Sequence, residues 1–308
     1  MMNAEGKISV IVPNYNYAHY LPELFACLQQ QSYPNWECII VDDGSSDNSI
    51  ELIESAIQDD ARIILIQQAN AGPAAARANG IQRASGDYIQ LIDADDYISK
   101  EKFERALTIF NEQPAIDIVY SDYRFVDVPF TKEWKEDFRK NKVGSQPFID
   151  FLSRWELDLM IPIHAFLFRK SCFDRWGSMD PQFQTHEDWD LHLNFSLNGA
   201  RYSYDDQVGA YYRIHRSSSS RTDLTKNRRD IALVLAKYLS LVRNDFEKRL
   251  WRERYFQAVA SFIIDARVRK QINWKRVMDH PIPRSLKRAA VWSSPLYLIP
   301  KIFGKLAK

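Results

Sequence analysis

Leu91-Ile92-Asp93-Ala94-Asp95-Asp96 is the stretch on which the reading of this chain turns. The residues before it, Tyr88-Ile89-Gln90-Leu91-Ile92, are short-run, rich in β-formers and bounded by Ser85-Gly86-Asp87, so they predict a β-strand. That strand ends in three carboxylates within four positions. Carboxylates so crowded repel one another unless a positive group sits among them, and a divalent cation is the usual counter-charge. Mg²⁺ and Mn²⁺ take oxygen ligands and leave positions open for phosphate oxygens. On this stretch alone a second reading is equally open: a polar turn capping the next helix, with Asp95 or Asp96 accepting from amides near Glu101.

Another acidic strand end favours the cation. Glu37-Cys38-Ile39-Ile40-Val41 is a short apolar run that ends in Asp42-Asp43-Gly44-Ser45-Ser46-Asp47. In open α/β sheets ligands bind outside the carboxyl ends of the strands, so both acidic ends would face one crevice. Ile8-Ser9-Val10-Ile11-Val12 predicts a further strand, ending in Pro13-Asn14-Tyr15-Asn16 at the same edge. An aromatic ring beside a carboxylate suits a nucleobase, since one stacks and the other accepts from a ring N–H.

The order of elements points the same way. Leu21, Leu24, Phe25 and Leu28 form a helical stripe after the first strand, and Ile50, Ile53, Glu54 and Ile57 form one after the second. Ile63-Ile64-Leu65-Ile66 predicts a strand, and Ala74 to Ala84 a helix opened by Gly72-Pro73. This alternation specifies an α/β fold with a doubly wound, mostly parallel sheet. Later in the chain, Asp117-Ile118-Val119-Tyr120 and Ala165-Phe166-Leu167-Phe168 predict strands. Asp127 to Phe148 is polar and lacks apolar periodicity, which predicts a loop.

Five motifs then carry a family resemblance: Ser-Val-Ile-Val-Pro-Asn-Tyr-Asn (9–16), Val-Asp-Asp-Gly-Ser-Ser-Asp (41–47), Asn-Ala-Gly-Pro-Ala-Ala-Ala-Arg-Ala-Asn-Gly (70–80), Gly-Asp-Tyr-Ile (86–89) and Asp-Ala-Asp-Asp (93–96). In this order and spacing the chain resembles the family 2 inverting glycosyltransferases of the GT-A fold, over roughly its first 220 residues. The resemblance implies a sugar-nucleotide donor, UDP-linked in the first instance, a Mn²⁺ or Mg²⁺ cofactor, and inversion at the anomeric carbon. It implies that Pro13, Tyr15, Asn16, Asp43, Arg77, Asp93 and Ala94 hold the donor nucleotide. It makes Asp95 the main metal ligand, with Asp93 or Asp96 assisting directly or through water. Arg77 on its own would read as an exposed helical arginine.

His186-Glu187-Asp188-Trp189-Asp190-Leu191 carries the next signal. Acidic residues are favoured in a first helical turn, so Glu187 and Asp188 open a helix whatever else they do. Inverting transfer needs a carboxylate to take the proton of the attacking hydroxyl. The family's Glu-Asp motif matches Glu187-Asp188, which makes Asp188 the catalytic base and places Glu187 on the acceptor side. Trp189 reads as an acceptor platform or a core ring. Tyr211-Tyr212-Arg213-Ile214-His215-Arg216-Ser217 resembles the family's lid over the donor, with Arg213 and His215 on the diphosphate or His215 on the metal. The Gln-x-x-Arg-Trp of processive members is absent, which implies transfer of a single residue to a glycan, lipid-linked or other hydroxyl acceptor.

Bulk properties set the remaining bounds. The 308 residues suffice for one large α/β domain and an extension. A net charge of +1 gives no footprint for nucleic acid. Cys27, Cys38 and Cys172 are scattered, which fits a reducing compartment and excludes a zinc site. The polar N-terminus and the lack of a ~20-residue apolar run predict a cytoplasmic protein without spanning helices. The expected domains are 1–222, with a nucleotide-sugar half (1–115) and an acceptor half (116–222), and a helical extension at 223–308. Ile231, Leu235, Tyr238, Leu239 and Val242 predict one amphipathic helix there, and Trp251, Tyr255, Val259 and Phe262 another. From Asp265 onward 11 Lys or Arg face two Asp, a net of +9, which leaves −8 for residues 1–264. With Trp274, Trp292, Tyr297 and Phe303, this tail suits either the inner face of an anionic membrane or a helical cap on the acidic domain. Two other functions share the pattern: a nucleotidyltransferase, which would want a Gly-rich basic loop where Pro13–Asn16 stands, and a non-catalytic sugar-nucleotide-binding protein, which would dispense with Asp95 or Asp188.

Overall fold

The structure, a computed structural model, describes residues 6–126, 133–134, 142–214, 224–242 and 244–268. It divides into two compact units, Met1–Asp230 and Ile231–Lys308. Strands β1 (Ile8–Asn14), β2 (Trp36–Asp42), β3 (Ile63–Gln67) and β4 (Tyr88–Leu91) lie in the order β3-β2-β1-β4, all parallel. Their carboxyl ends therefore share one edge, with Asn14 paired in register to Asp42.

The helices between them follow the apolar spacing. In α1 (Leu21–Gln29), Leu21, Leu24, Phe25 and Leu28 are buried against Ile8, Val10 and Val12 of β1. In α2 (Ser49–Asp59), Ile53 is fully buried and Ile57 packs beside it as expected, whereas Glu54 of the expected stripe is exposed; Leu52 and Ala56 complete the packed face. Helix α3 (Pro73–Arg83) covers the opposite face of the sheet. Gly80 permits this approach, since a Cβ there would meet Ile11 Cγ2 at 2.5 Å and Val41 Cγ2 at 3.1 Å.

Beyond β4 the sheet becomes mixed. Strand β8 (Phe166–Arg169) runs antiparallel to both β4 and β6 (Ile118–Val126), and β9 (Tyr202–Arg213) runs parallel to β6 and antiparallel to β5 (Tyr97–Ile98). Helix α4 (Lys102–Glu112) buries Phe103, Leu107 and Phe110. Glu101 stands at its N-cap with no side-chain cap bond, and Asp96 accepts from the Arg213 N–H rather than from the start of this helix. The expected loop at 127–148 is interrupted. Strand β7 (Glu133–Trp134) pairs with Phe125 and Val126, and Pro147 and Phe148 open α5 (Pro147–Arg154); most of 127–141 lies outside the described residues. Helices α6 (Lys170–Trp176) and α7 (Glu187–Leu197) complete this part, α7 starting at the anticipated acidic pair.

Helix α8 (Leu224–Tyr238) crosses the boundary between the units, which falls at 230/231 rather than 222/223. In the second unit, Trp251 of α9 (Asp245–Val268) donates its Nε1–H to Leu235 O at 2.6 Å and stacks on Tyr255. Leu239 and Val242, expected on the first helix, lie past its end, and Leu239 is exposed. No helix among the described residues is long and apolar enough to cross a membrane. The basic tail from 269, and with it the membrane expectation, lies outside the described residues.

Candidate functional site

A cleft of about 760 Å³ runs along the carboxyl edge of the sheet. That volume suits a small-molecule ligand. Pro13, Asn14, Tyr15 and Tyr17 enter it from the end of β1, Asp43 from the end of β2, and Asp93 to Asp96 from the end of β4. Tyr15 is half exposed, as a ring that stacks on a base would be. Asp43 is buried and organises the turn into α3: Gln68 Nε2 and the Ala71 N–H donate to Oδ1, and the Gly72 N–H donates to Oδ2, each at 2.8 Å.

Asp93, Asp95 and Asp96 bring carboxylate oxygens within 4.8 Å of one another. Burial, then Asp96 and Asp93, push the Asp95 carboxyl up to about 8. A cation would relieve that repulsion, and an all-oxygen donor set matches Mn²⁺ or Mg²⁺. The three are not equivalent. Asp96 accepts the Arg213 N–H at 2.9 Å on one oxygen and faces His164 Nδ1 at 3.1 Å with the other. Asp93 is ion-paired to Arg77. The donor set therefore fits a cation held chiefly by Asp95 and Asp93, with Asp96 set as their buried support.

Arg77 is buried, not an exposed helical residue. It gives one guanidinium nitrogen to Asp93 and the other to Glu187 Oε1 at 2.5 Å. Burial acts to lower its pKa, but Asp93 and Glu187 outweigh that and leave it raised. One cation thus ties the β4 carboxylates to the start of α7, 110 residues away in sequence. The next residue, Asp188, also lines the cleft and accepts the Trp189 N–H at 2.7 Å. Its carboxyl is pushed up to about 7 by burial and then by Glu187, against the opposing pull of His186, the Trp189 N–H and Arg77. A carboxylate poised near neutrality can take a proton from a hydroxyl and release it again.

Of the residues expected at this site, the structure brings Pro13, Tyr15, Asp43, Arg77, Asp93, Ala94, Asp95, Asp96, Glu187 and Asp188 around the cleft. Three others serve elsewhere. Asn16 adopts φ 58° and its Oδ1 accepts the Ser46 and Asp47 N–H groups, so it shapes the β2 turn without lining the cleft. Trp189 is fully buried with its Nε1–H on Phe151 O at 2.7 Å, a core ring and not an acceptor platform. Arg213 lies under the carboxylates, its side chain buried between the Tyr20 and Tyr97 rings and paired with Glu23, so it is not a lid. His215 lies outside the described residues.

The sequence reading missed Tyr17, His164, Glu156, His186 and Asn227, all of which line the cleft. Tyr17 could have been found, since it continues the Pro13–Asn16 turn; burial, Asp95 and Asp93 raise its pKa. His186 adjoins the Glu-Asp pair and offered a weak signal. Glu156 and Asn227 gave none, because neither belongs to a motif.

Comparison with known proteins agrees with this geometry. Residues 9–177 match the sequence model of the family described as Glycosyl transferase family 2. The chain is 44% identical over 218 residues to an uncharacterized glycosyltransferase, EpsJ, of Bacillus subtilis, covering 68% of this chain and 62% of that protein. It is 43% identical over 123 residues to an uncharacterized glycosyltransferase of Haemophilus influenzae, covering 39% of this chain and 48% of the relative. The chain thus spans half to three-fifths of these curated relatives. Among solved structures it resembles S. aureus TarS 1-349 in complex with UDP-GlcNAc, at 22% identity and TM-score 0.62 over 83% of this chain and 72% of that one. It also resembles the mannosyltransferase PcManGT of Pyrobaculum calidifontis in complex with GDP-Man and Mn²⁺, at 15% identity and TM-score 0.62 over 97% and 83%. At these identities the structural likeness establishes the GT-A fold alone.

Proposed function

The chain belongs to glycosyl transferase family 2, and from that membership we propose that it is a metal-dependent, inverting glycosyltransferase. It moves a single sugar from a nucleoside-diphosphate sugar to a hydroxyl acceptor, in polysaccharide, glycolipid or other cell-surface glycan synthesis. The observation that carries this reading is the Asp93–Arg77–Glu187 bridge, which sets a cation-ready carboxylate group and a near-neutral Asp188 along one cleft. The solved relatives hold UDP-GlcNAc and GDP-Man, which supports a nucleotide-sugar donor; UDP is the first candidate.

Each residue then has a task. Tyr15 stacks on the base and Pro13 walls it. Asp43 keeps the 70–72 turn in place and offers a carboxylate edge to a base N–H. Asp95 and Asp93 would hold Mn²⁺ or Mg²⁺, which would supply charge neutralisation for a departing nucleoside diphosphate. Arg77 pairs with both Asp93 and Glu187 and holds them in line. Asp188 accepts the proton of the acceptor hydroxyl as that oxygen attacks the anomeric carbon and the bond to phosphate breaks, so one displacement inverts the centre. A hydrolysis screen of UDP-, GDP- and dTDP-sugars with Mn²⁺ tests the reading. Turnover of one nucleotide sugar is expected. Full turnover in excess EDTA would overturn the metal assignment, and a product with retained anomeric configuration would overturn the single displacement.

A further inference from the structure

The acceptor side of the cleft is built around His186. That residue adopts φ 63°, and Glu156 opposite it adopts φ 59°. Two non-glycine residues held in the left-handed region at one site mark a backbone bent to aim side chains. The Gln184 and Thr185 N–H groups and the Thr185 hydroxyl all donate to Asp230 Oδ2, each at 3.1 Å, which pins the chain just before the Glu-Asp pair. Asn227 lies three residues earlier on the same helix, hence on the same face, and its Oδ1 meets His186 Nε2 at 3.1 Å. Glu156 Oε1 stands 3.6 Å from that nitrogen, at the limit of an ion pair and too far for a hydrogen bond.

This leaves hydrogen-bonding capacity facing the cleft. Among the described residues, the Glu156 carboxylate meets only His186 and the Asn227 amide N–H groups meet no acceptor, and Gln184 lines the same wall. Met160 and Ile161 add an apolar surface beside them. Planar amides and carboxylates next to apolar side chains match a sugar ring, whose hydroxyls donate and accept along its rim and whose C–H face is apolar. Charge narrows the class. Among the described residues lining the cleft Arg77 is the only lysine or arginine, and Asp93 and Glu187 already share it. Among the described residues lining the cleft, a carboxylate or phosphate on the incoming ring would face Glu156, Glu187 and Asp188 with no cation but the shared Arg77, and like charges at an interface reject a partner.

We propose that Glu156, Gln184 and Asn227, gathered about His186, form the acceptor subsite, and that the unit bearing the attacking hydroxyl is an uncharged sugar. The proposal rests on the glycosyl-transfer reading of the cleft. It is tested with the full chain, the nucleotide sugar it hydrolyses best, and octyl glucoside, galactoside and N-acetylglucosaminide against octyl glucuronide. A neutral glycoside is expected to exceed the glucuronide about tenfold or more in kcat/KM, the scale of one lost ionic or hydrogen-bonded contact. Asn227→Ala is expected to raise the acceptor KM about tenfold with kcat within about threefold, and Glu156→Gln to narrow the gap to the glucuronide. Nucleotide affinity measured by calorimetry shows that each variant is folded, and the exposed Glu156 side chain keeps the test available should Asn227→Ala unfold. Equal or better use of the glucuronide overturns the proposal, as does an acceptor KM that neither variant moves. Donor hydrolysis without transfer to any neutral glycoside overturns the subsite while leaving the family reading intact. Failure to turn over any nucleotide sugar overturns the glycosyl-transfer reading, and this proposal with it.

Discussion

The ends of β2 and β4 are both acidic and both open on the same cleft, yet their charge is met in different ways. At β2, Asp42 accepts from Asn14 Nδ2 at 2.8 Å and the Ser45 N–H at 2.9 Å, while Asp43 takes three donors from Gln68, Ala71 and Gly72. At β4, Asp93 must share Arg77 with Glu187, and Asp95 is pushed up to about 8 by burial and its neighbours. Carboxylates supplied with N–H donors hold a loop together. Carboxylates crowded against one another suit a cation. Residue type and position at the strand end are alike; the donors supplied by distant segments decide which role results.

The largest effect should come from the β4 end. Asp95→Asn is expected to lower transfer about 10³-fold or more, the scale of losing a metal ligand that stabilises a leaving group, and to weaken Mn²⁺ binding in the presence of nucleoside diphosphate. The same change should leave the metal-free fold at least as stable, since it removes a crowded charge. A variant with near wild-type turnover would erase the contrast between the two ends.

Asp188 shares the character of the β4 end, and its loss should cost ~10²-fold in transfer with donor affinity within a few-fold. Its carboxyl, pushed up to about 7, must be ionised to act as a base. Wild-type kcat/KM should therefore fall tenfold per pH unit below about 7, and Asp188→Asn should lose that limb. Donor affinity that disappears together with turnover would move Asp188 to the donor side.

At the satisfied end the expectation is structural. Asp43→Ala leaves the Ala71 and Gly72 N–H groups and the Gln68 amide without their acceptor, at a cost of about 2–3 kcal/mol of stability. Denaturant titration reads it directly, and donor KM should rise because the 70–72 turn lines the cleft. Unchanged stability would mean that water replaces the carboxylate and that the two ends differ less than their bonding implies.

The smallest effect sharpens the comparison through pH. Asp95 and Asp188 have folded-state pKa values above the ordinary 3.8. Between about pH 4 and 8 the folded chain holds protons that the unfolded chain has released, so stability falls as pH rises through that window. Without metal and nucleotide the Tm should decline as pH rises across it. Asp95→Asn should flatten the decline, and a Tm that instead rises over the window would contradict the placement of both carboxyls.

The parallel part of the sheet was legible because its determinants are local. Each strand from β1 to β4 carries its own apolar run, each helix between them its own stripe, and Pro73 and Gly80 mark where α3 starts and where it touches the sheet. The acidic strand ends could be read as one site because a parallel sheet brings all its carboxyl ends to one edge. The mixed part of the sheet beyond β4 resisted for the opposite reason. Strand β9 carries Tyr202 to Arg213 but pairs with β6, more than eighty positions earlier, in a register broken by a bulge. Glu156 and Asn227 belong to no motif and meet only because α5 and α8 bring them to His186.

The sequence by itself determined the parallel core, the acidic strand ends and the Glu-Asp pair that opens α7, because spacing and residue type settle what a segment does with its neighbours in the chain. Tertiary structure alone decided how those groups are used. It turned Arg77 inward to join Asp93 to Glu187, placed Trp189 in the core, set Arg213 beneath the carboxylates, and recruited Asn227 from beyond the expected domain end. The physical reason is that a buried charge or ring takes its role from the donors, counter-ions and water it meets there, and those come from segments that sequence spacing does not bring together.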